Sequence, residues 1–301
     1  MHNSLTGLCR NLQPNSRHIR AKAGTWPLLG LLTLGLTVFA GEGVQPVAVQ
    51  AQTRPVAPAT TTPAAPAPLK NLLAQIDAAA NSHNLSEVMK FYSSNFSHSD
   101  GLTRQGVEKA LAALWKQYPQ INYRTELKSW KAEGRGFTAE TVTYMSGVQQ
   151  LGERNLVLNT TLRSRQRLEN QKIVRQEILA EETQLTTGEA PPRVEITLPE
   201  QVRPNQEYSF DAIVREPLGD SLLLGAAVEE PIKPNNYLNP ATFNLELLSA
   251  GGIYKVGRAP ARPEDRWISA VLVREDGMTI VTQRLRVVGQ PVATQPPKPS
   301  R

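Results

Sequence analysis

Leu72–Asp100 reads LLAQIDAAANSHNLSEVMKFYSSNFSHSD, and Thr103–Leu114 reads TRQGVEKALAAL. Leu69, Leu72, Leu73, Ile76 and Ala80 recur at helical spacing, and Leu85, Val88, Met89 and Tyr92 repeat it over a second, shorter helix. Thr103 is placed to cap a third helix carrying Val107, Ala110, Leu111, Leu114 and Trp115, which Pro119 stops. From Ile121 the pattern becomes strand-like, over Ile121–Ala132, Gly136–Val148, Asn155–Leu168 and Lys172–Leu185, with turns at Glu133-Gly134 and Asn170-Gln171. Three short helices followed by long antiparallel strands predict an α+β domain, a cone in which a curved sheet wraps around a helix.

Working outward, Thr186–Pro192 (TTGEAPP) reads as a break. Beyond it only strand signals appear: Tyr208, Phe210, Ala212 and Val214; Phe243, Leu245 and Leu247; Trp267, Ser269, Val271 and Val273. Glu275-Asp276-Gly277 turns into Thr279–Val288. This predicts an all-β sandwich of the immunoglobulin-like kind, with Phe210, Tyr254 and Trp267 between its sheets. Leu222–Val228 (LLLGAAV) reads as a buried strand, or else as a surface docked on the first domain.

At the N-terminus Arg10, Arg17, Arg20 and Lys22 precede an uncharged run, Ala23–Gly41, and then Pro46, Val49 and Ala51. That is the order of an export signal cut after Ala51, with a retained membrane anchor as the alternative. The expected location is therefore outside the cytoplasm: periplasmic, secreted or anchored to the outer side of the cytoplasmic membrane. Membrane contact is expected only through this segment, if it stays uncut. Cys9 precedes the apolar run, so a lipid anchor is not expected. The resulting layout is 1–51 leader, 52–68 Pro/Ala/Thr linker, 69–187 cone, 191–289 sandwich and 290–301 tail.

Without residues 1–51 the chain keeps 29 basic and 26 acidic residues, a balance of +3, and no cysteine. So small an excess does not suggest a nucleic-acid partner, and disulfides, thiolate chemistry and cysteine metal sites drop out. Each domain is then expected to rest on its own apolar core.

The stretch of residues 69–185 resembles the nuclear transport factor 2-like superfamily, which includes SnoaL-like and ketosteroid-isomerase-like proteins. The resemblance rests on the quoted helices, the aromatic pair Phe91 and Tyr92, the strand-like Phe96–Asp100, and the Arg104-x-Gly106 step into the third helix. It implies a conical pocket with a carboxylate inside, and counting eight residues on from Tyr92, as in ketosteroid isomerases, lands on Asp100 as an acid/base. The isomerase's two oxyanion donors would fall near Leu72 and in Thr161–Arg163, where neither matches.

Tyr92, His98, Trp115, Tyr118, Trp130 and Tyr144 are the expected pocket lining, suited to a small apolar ligand. His98-x-Asp100 with His83 falls short of a metal set, so neither a metal nor a cofactor is expected. Arg163, Arg165 and Arg167 alternate along one strand and must share a face, as a basic stripe for an anionic envelope polymer or as a solvated face. Asn84–Ser86, Asn95–Ser97 and Asn159–Thr161 match the glycosylation tripeptide.

The favoured reading is a non-catalytic exported protein whose cone binds a ligand, pairs into a homodimer or meets an envelope protein. The alternatives are a SnoaL- or isomerase-type enzyme using Asp100, and a polymer binder using the arginine stripe.

Overall fold

The computed structural model describes residues 64–219, 221–239 and 241–289. The leader, Cys9, most of the linker and the tail from Gln290 lie outside the described residues. Among the described residues three helices come first: α1 (Ala67–Asn81), α2 (Leu85–Lys90) and α3 (Arg104–Gln117), with strand β1 (Tyr92–His98) between the last two. The expected cap forms, Thr103 accepting from the Gly106 N–H at 3.1 Å, and Asn84 caps α2 by accepting from the Glu87 N–H. No described helix is long and apolar enough to cross a membrane.

Four long strands follow: β2 (Asn122–Glu133), β3 (Gly136–Leu151), β4 (Arg154–Glu169) and β5 (Lys172–Gly188), paired antiparallel in order. Asn170 and Gln171, at φ 48° and 59°, make a two-residue hairpin whose left-handed centre suits the twist of the flanking strands. On β4 the inward side chains Leu156, Leu158, Thr160, Ser164, Gln166 and Leu168 are all buried, whereas Asn159, Thr161 and Arg165 face out. The helices pack on the inner face, as expected for the α+β cone.

Edge strand β2 is closed in an unusual way. The Asn81 side chain both accepts from the Tyr123 N–H (2.7 Å) and donates to the Tyr123 carbonyl (2.8 Å), and Asp77 accepts from the Thr125 N–H (2.7 Å). Side chains of α1 thus stand in for a neighbouring strand over this stretch.

The remaining strands are β6 (Val194–Thr197), β7 (Gln201–Val202), β8 (Glu207–Val214), β9 (Leu224–Pro231), β10 (Glu246–Leu247), β11 (Gly252–Arg258), β12 (Arg266–Arg274) and β13 (Gly277–Val287), with a 3-10 turn at Pro234–Tyr237. They do not make a module apart from the cone. Strand β5 continues through the expected break to Gly188 and pairs with β13, from Gly277↔Gly188 to Gln283↔Glu182. One path, β10-β9-β12-β13-β5-β4-β3-β2, therefore runs through both halves, and a separate sheet β11-β8-β6 packs against part of it.

The cores are shared as well, contrary to the expectation of one per domain. Val271, Met278 and Ile280 join Val88, Leu114, Trp115, Tyr118 and Leu158 in one cluster, and Ile232, Tyr237 and Trp267 join Leu69, Leu72, Phe96 and Ile173 in another. Strand β12 is consequently buried on both faces: Ile268, Ala270 and Leu272 meet the small sheet, and Trp267 and Val271 meet the cone interior.

This corrects two of the expected inter-sheet residues. Phe210 lies between the sheets, but Trp267 points into the cone, and Tyr254 is 55% exposed on edge strand β11. Leu222–Val228 is mixed: Leu222 is exposed, Leu223 is buried between the sheets, and Ala226 packs on the cone-side cluster.

Candidate functional site

Strand β5 has 17 residues and serves two neighbours along the same edge. Strand β1 pairs in parallel with Ile173–Gln176, and β13 takes over from Glu182 onward. Asp100 follows β1 by two residues, anchored because the Ser99 N–H donates to the Gln176 carbonyl at 2.9 Å and Ser99 Oγ accepts from the Ile178 N–H at 3.2 Å. Gly101, at φ 78°, turns the chain away behind it. Arg284 lies one residue beyond the last β5–β13 pair, so the two side chains arrive in the gap between β1 and β13.

There they form a forked ion pair, Arg284 Nη1 to Asp100 Oδ1 at 3.0 Å and Nη2 to Oδ2 at 2.7 Å. Tyr237 donates its hydroxyl to Asp100 Oδ2, and Ser99 Oγ donates to Oδ1 at 2.9 Å. Arg284 also reaches Glu181 (3.3 Å) and Asp265 (3.1 Å), and Trp267 Nε1 donates to Glu181 at 3.1 Å. The side chains of Arg284, Asp100 and Glu181 are only 0%, 2% and 2% exposed.

Burial by itself would raise Asp100, but the charge and hydrogen bonds of Arg284, helped by Tyr237, outweigh it and hold the carboxyl at about 2. Burial likewise pushes the Tyr237 hydroxyl well up, with the Asp100 and Glu181 charges adding to it. His98 Nδ1 accepts the Asp100 N–H at 3.1 Å, so its proton sits on Nε2 and the ring is neutral. Burial lowers its pKa to about 4, against the opposing pull of Asp100.

The other expected pocket residues do not converge on Asp100. Tyr92 stacks edge-on with Phe96 (5.0 Å), and burial pushes its hydroxyl up to about 12. Trp115 and Tyr118 are core: Trp115 Nε1 donates to the Tyr123 hydroxyl at 2.8 Å, and Tyr118 is wholly buried. Trp130 packs on Phe137, in the cluster that also holds Leu127. Tyr144 is on the opposite, outer face, with the Arg124 guanidinium 4.3 Å above its ring.

Arg163, Arg165 and Arg167 do share the outer face, and each meets carboxylates: Arg163 with Glu200 (3.0 Å), Arg165 with Glu140 (2.7 Å) and Glu177 (3.1 Å), Arg167 with Glu169 (2.9 Å). Among the described residues no three His, Cys, Asp or Glu side chains converge to hold a metal ion. Sequence reasoning missed Arg284, Tyr237, Glu181 and Trp267 as the surroundings of Asp100. The one local signal was the apolar run of β12, whose length on both faces called for two partners.

Among known proteins, the family model described as "Domain of unknown function (DUF8623)" matches residues 189–288. No protein of the curated collection matches. Solved structures align over part of the chain. Bd1075 of Bdellovibrio bacteriovorus is similar at 14% identity and TM-score 0.28, over 36% of this chain and 38% of that one. A protein assigned as a SnoaL-like polyketide cyclase from Shewanella putrefaciens CN-32 is similar at 11% and 0.30, over 38% and 89%. A Catenulispora acidiphila protein with a ketosteroid isomerase-like fold, solved with trimethylamine, is similar at 14% and 0.27, over 39% and 85%. The chain thus spans under half of Bd1075 but most of the other two.

Proposed function

We propose that this is an exported, non-catalytic interaction protein in which the cone holds the chain's own second half, an immunoglobulin-like sandwich. The observation that carries the reading is the state of Asp100: its carboxylate accepts from Arg284, Tyr237 and Ser99. A carboxyl held at about 2 is a weak base, and general acid–base work favours a pKa near the working pH. The inner clusters support it too, because Tyr237 and Trp267 fill space where a cone of this kind would take a small apolar ligand. An envelope protein or a second copy would then meet the outer surfaces. The arginine stripe favours an anionic polymer less, since neighbouring carboxylates offset its charge.

Native mass spectrometry of the full chain, purified without denaturant, tests the reading. The expected result is the bare polypeptide mass, alone or in multiples. A stoichiometric extra mass that leaves on denaturation would show a ligand inside the cone and overturn it.

A further inference from the structure

Behind the buried ion pairs, the outer face of β2–β5 divides into two unlike halves. Towards one end its charged side chains neutralise one another in the pairs of Arg163, Arg165 and Arg167. Towards the other lies a half-open groove of about 460 Å³. Strand register sets its floor in two rows: Asn122, Ser146, Asn159 and Gln184, then Arg124, Tyr144, Thr161 and Glu182. Neighbours within a row stand about 4.8 Å apart, and the rows are separated by about 7 Å, because alternate residues of a strand face the same side.

No side-chain hydrogen bond ties Ser146, Asn159, Thr161 or Gln184 to another described residue; their neighbours Asn122 and Glu182 meet only Gln120 and Gln283. The groove therefore offers amides that donate and accept, hydroxyls that do both, one carboxylate, and one flat ring-and-guanidinium stack. An apolar molecule would leave these groups unpaired, at a cost for each. A phosphate-rich polymer would meet Glu182, and the one cation of the lining, Arg124, is already paired with Glu126.

We infer that this groove binds a neutral oligosaccharide, laid across the strands. Hydroxyls repeating along a sugar chain meet polar groups repeating from strand to strand, and the Arg124–Tyr144 stack takes the apolar face of one ring. The site goes beyond the proposed function: its two rows lie on the outer face, and Asp100 does not line it.

The test is saturation-transfer NMR of the full chain with cellohexaose, maltohexaose and N-acetyl-chitohexaose, followed by titration of whichever binds. Transfer to at least one is expected, with Tyr144→Ala weakening it at least tenfold, the scale of losing a central aromatic anchor. Asn159→Ala should weaken it less, and Arg165→Ala, in the ion-paired half, should leave it unchanged. Asn159 and Thr161 are exposed, so Asn159→Ala with Thr161→Val serves as a second variant if Tyr144→Ala fails to fold. Absence of transfer to all three sugars overturns the inference. So does binding that both altered chains retain in full, or that a tetra-alanine peptide reproduces.

Discussion

Arg284 and Arg165 are the same residue in the same kind of place, a strand position facing carboxylates of neighbouring strands. Yet Arg284 is 0% exposed, inside the cone, and Arg165 is 45% exposed, on the outer sheet face. What separates them is water. Outside, the solvent holds the charges apart at little loss, so an ion pair adds little. Inside, each charge has given up its hydration, and any group left alone is strongly disfavoured. Similar geometry therefore makes one arginine a structural requirement and the other a surface detail.

The sharpest way to break this contrast is Arg284→Met, which leaves Asp100 and Glu181 buried without their cation. We expect a loss of about 3–5 kcal/mol in urea unfolding. Adding Asp100→Asn to that variant should recover part of it. A loss no larger than that of a surface variant would mean that water reaches the gap.

A smaller effect comes from pH. His98 is buried neutral with its pKa lowered from 6.5 to about 4, so the unfolded chain takes up a proton first and stability falls as pH drops from 6.5 towards 4. Asp100, lowered from 3.8 to about 2, contributes above 3.8, and that contribution is lost as pH falls through about 2. His98→Asn keeps an acceptor for the Asp100 N–H but cannot titrate, so urea midpoints across this range should lose the upper step and keep the lower. An unchanged upper step would assign it to another group.

The smallest effect belongs outside. Arg165→Ala should shift stability by less than about 1 kcal/mol, and a concentrated salt solution should shrink that further. A larger loss would show that the outer pairs are shielded from solvent.

The helices and the four cone strands were legible because each depends on its neighbours in sequence: Leu72, Leu73 and Ile76 at helical spacing, Thr103 as a cap, and the alternation of Leu156, Leu158 and Thr160. Asp100 was legible as a position but not as an environment. Its partners Arg284 and Tyr237 lie 184 and 137 residues away, and no local period connects them. The break at Thr186–Pro192 misled for a related reason. Its residues favour a turn, and the chain does bend at Glu189 and Ala190, but the pairing of Thr186 with Thr279 and Thr187 with Met278 is a long-range choice. Trp267 misled because alternation on β12 tells two faces apart without saying what covers each. The groove beside Tyr144 escaped notice because it is assembled across four strands.

The seam between β5 and β13 also sets an order of events. During synthesis, β5 emerges about a hundred residues before the strand that covers its edge, since Gly188 pairs with Gly277 and Glu182 with Gln283. Until then the nascent cone has a bare strand edge and two acidic side chains awaiting a cation not yet made. Closing so long a loop is slow, and open edges invite wrong partners in the meantime. A fragment ending at Gly188 would hold permanently the exposed form that the complete chain passes through once.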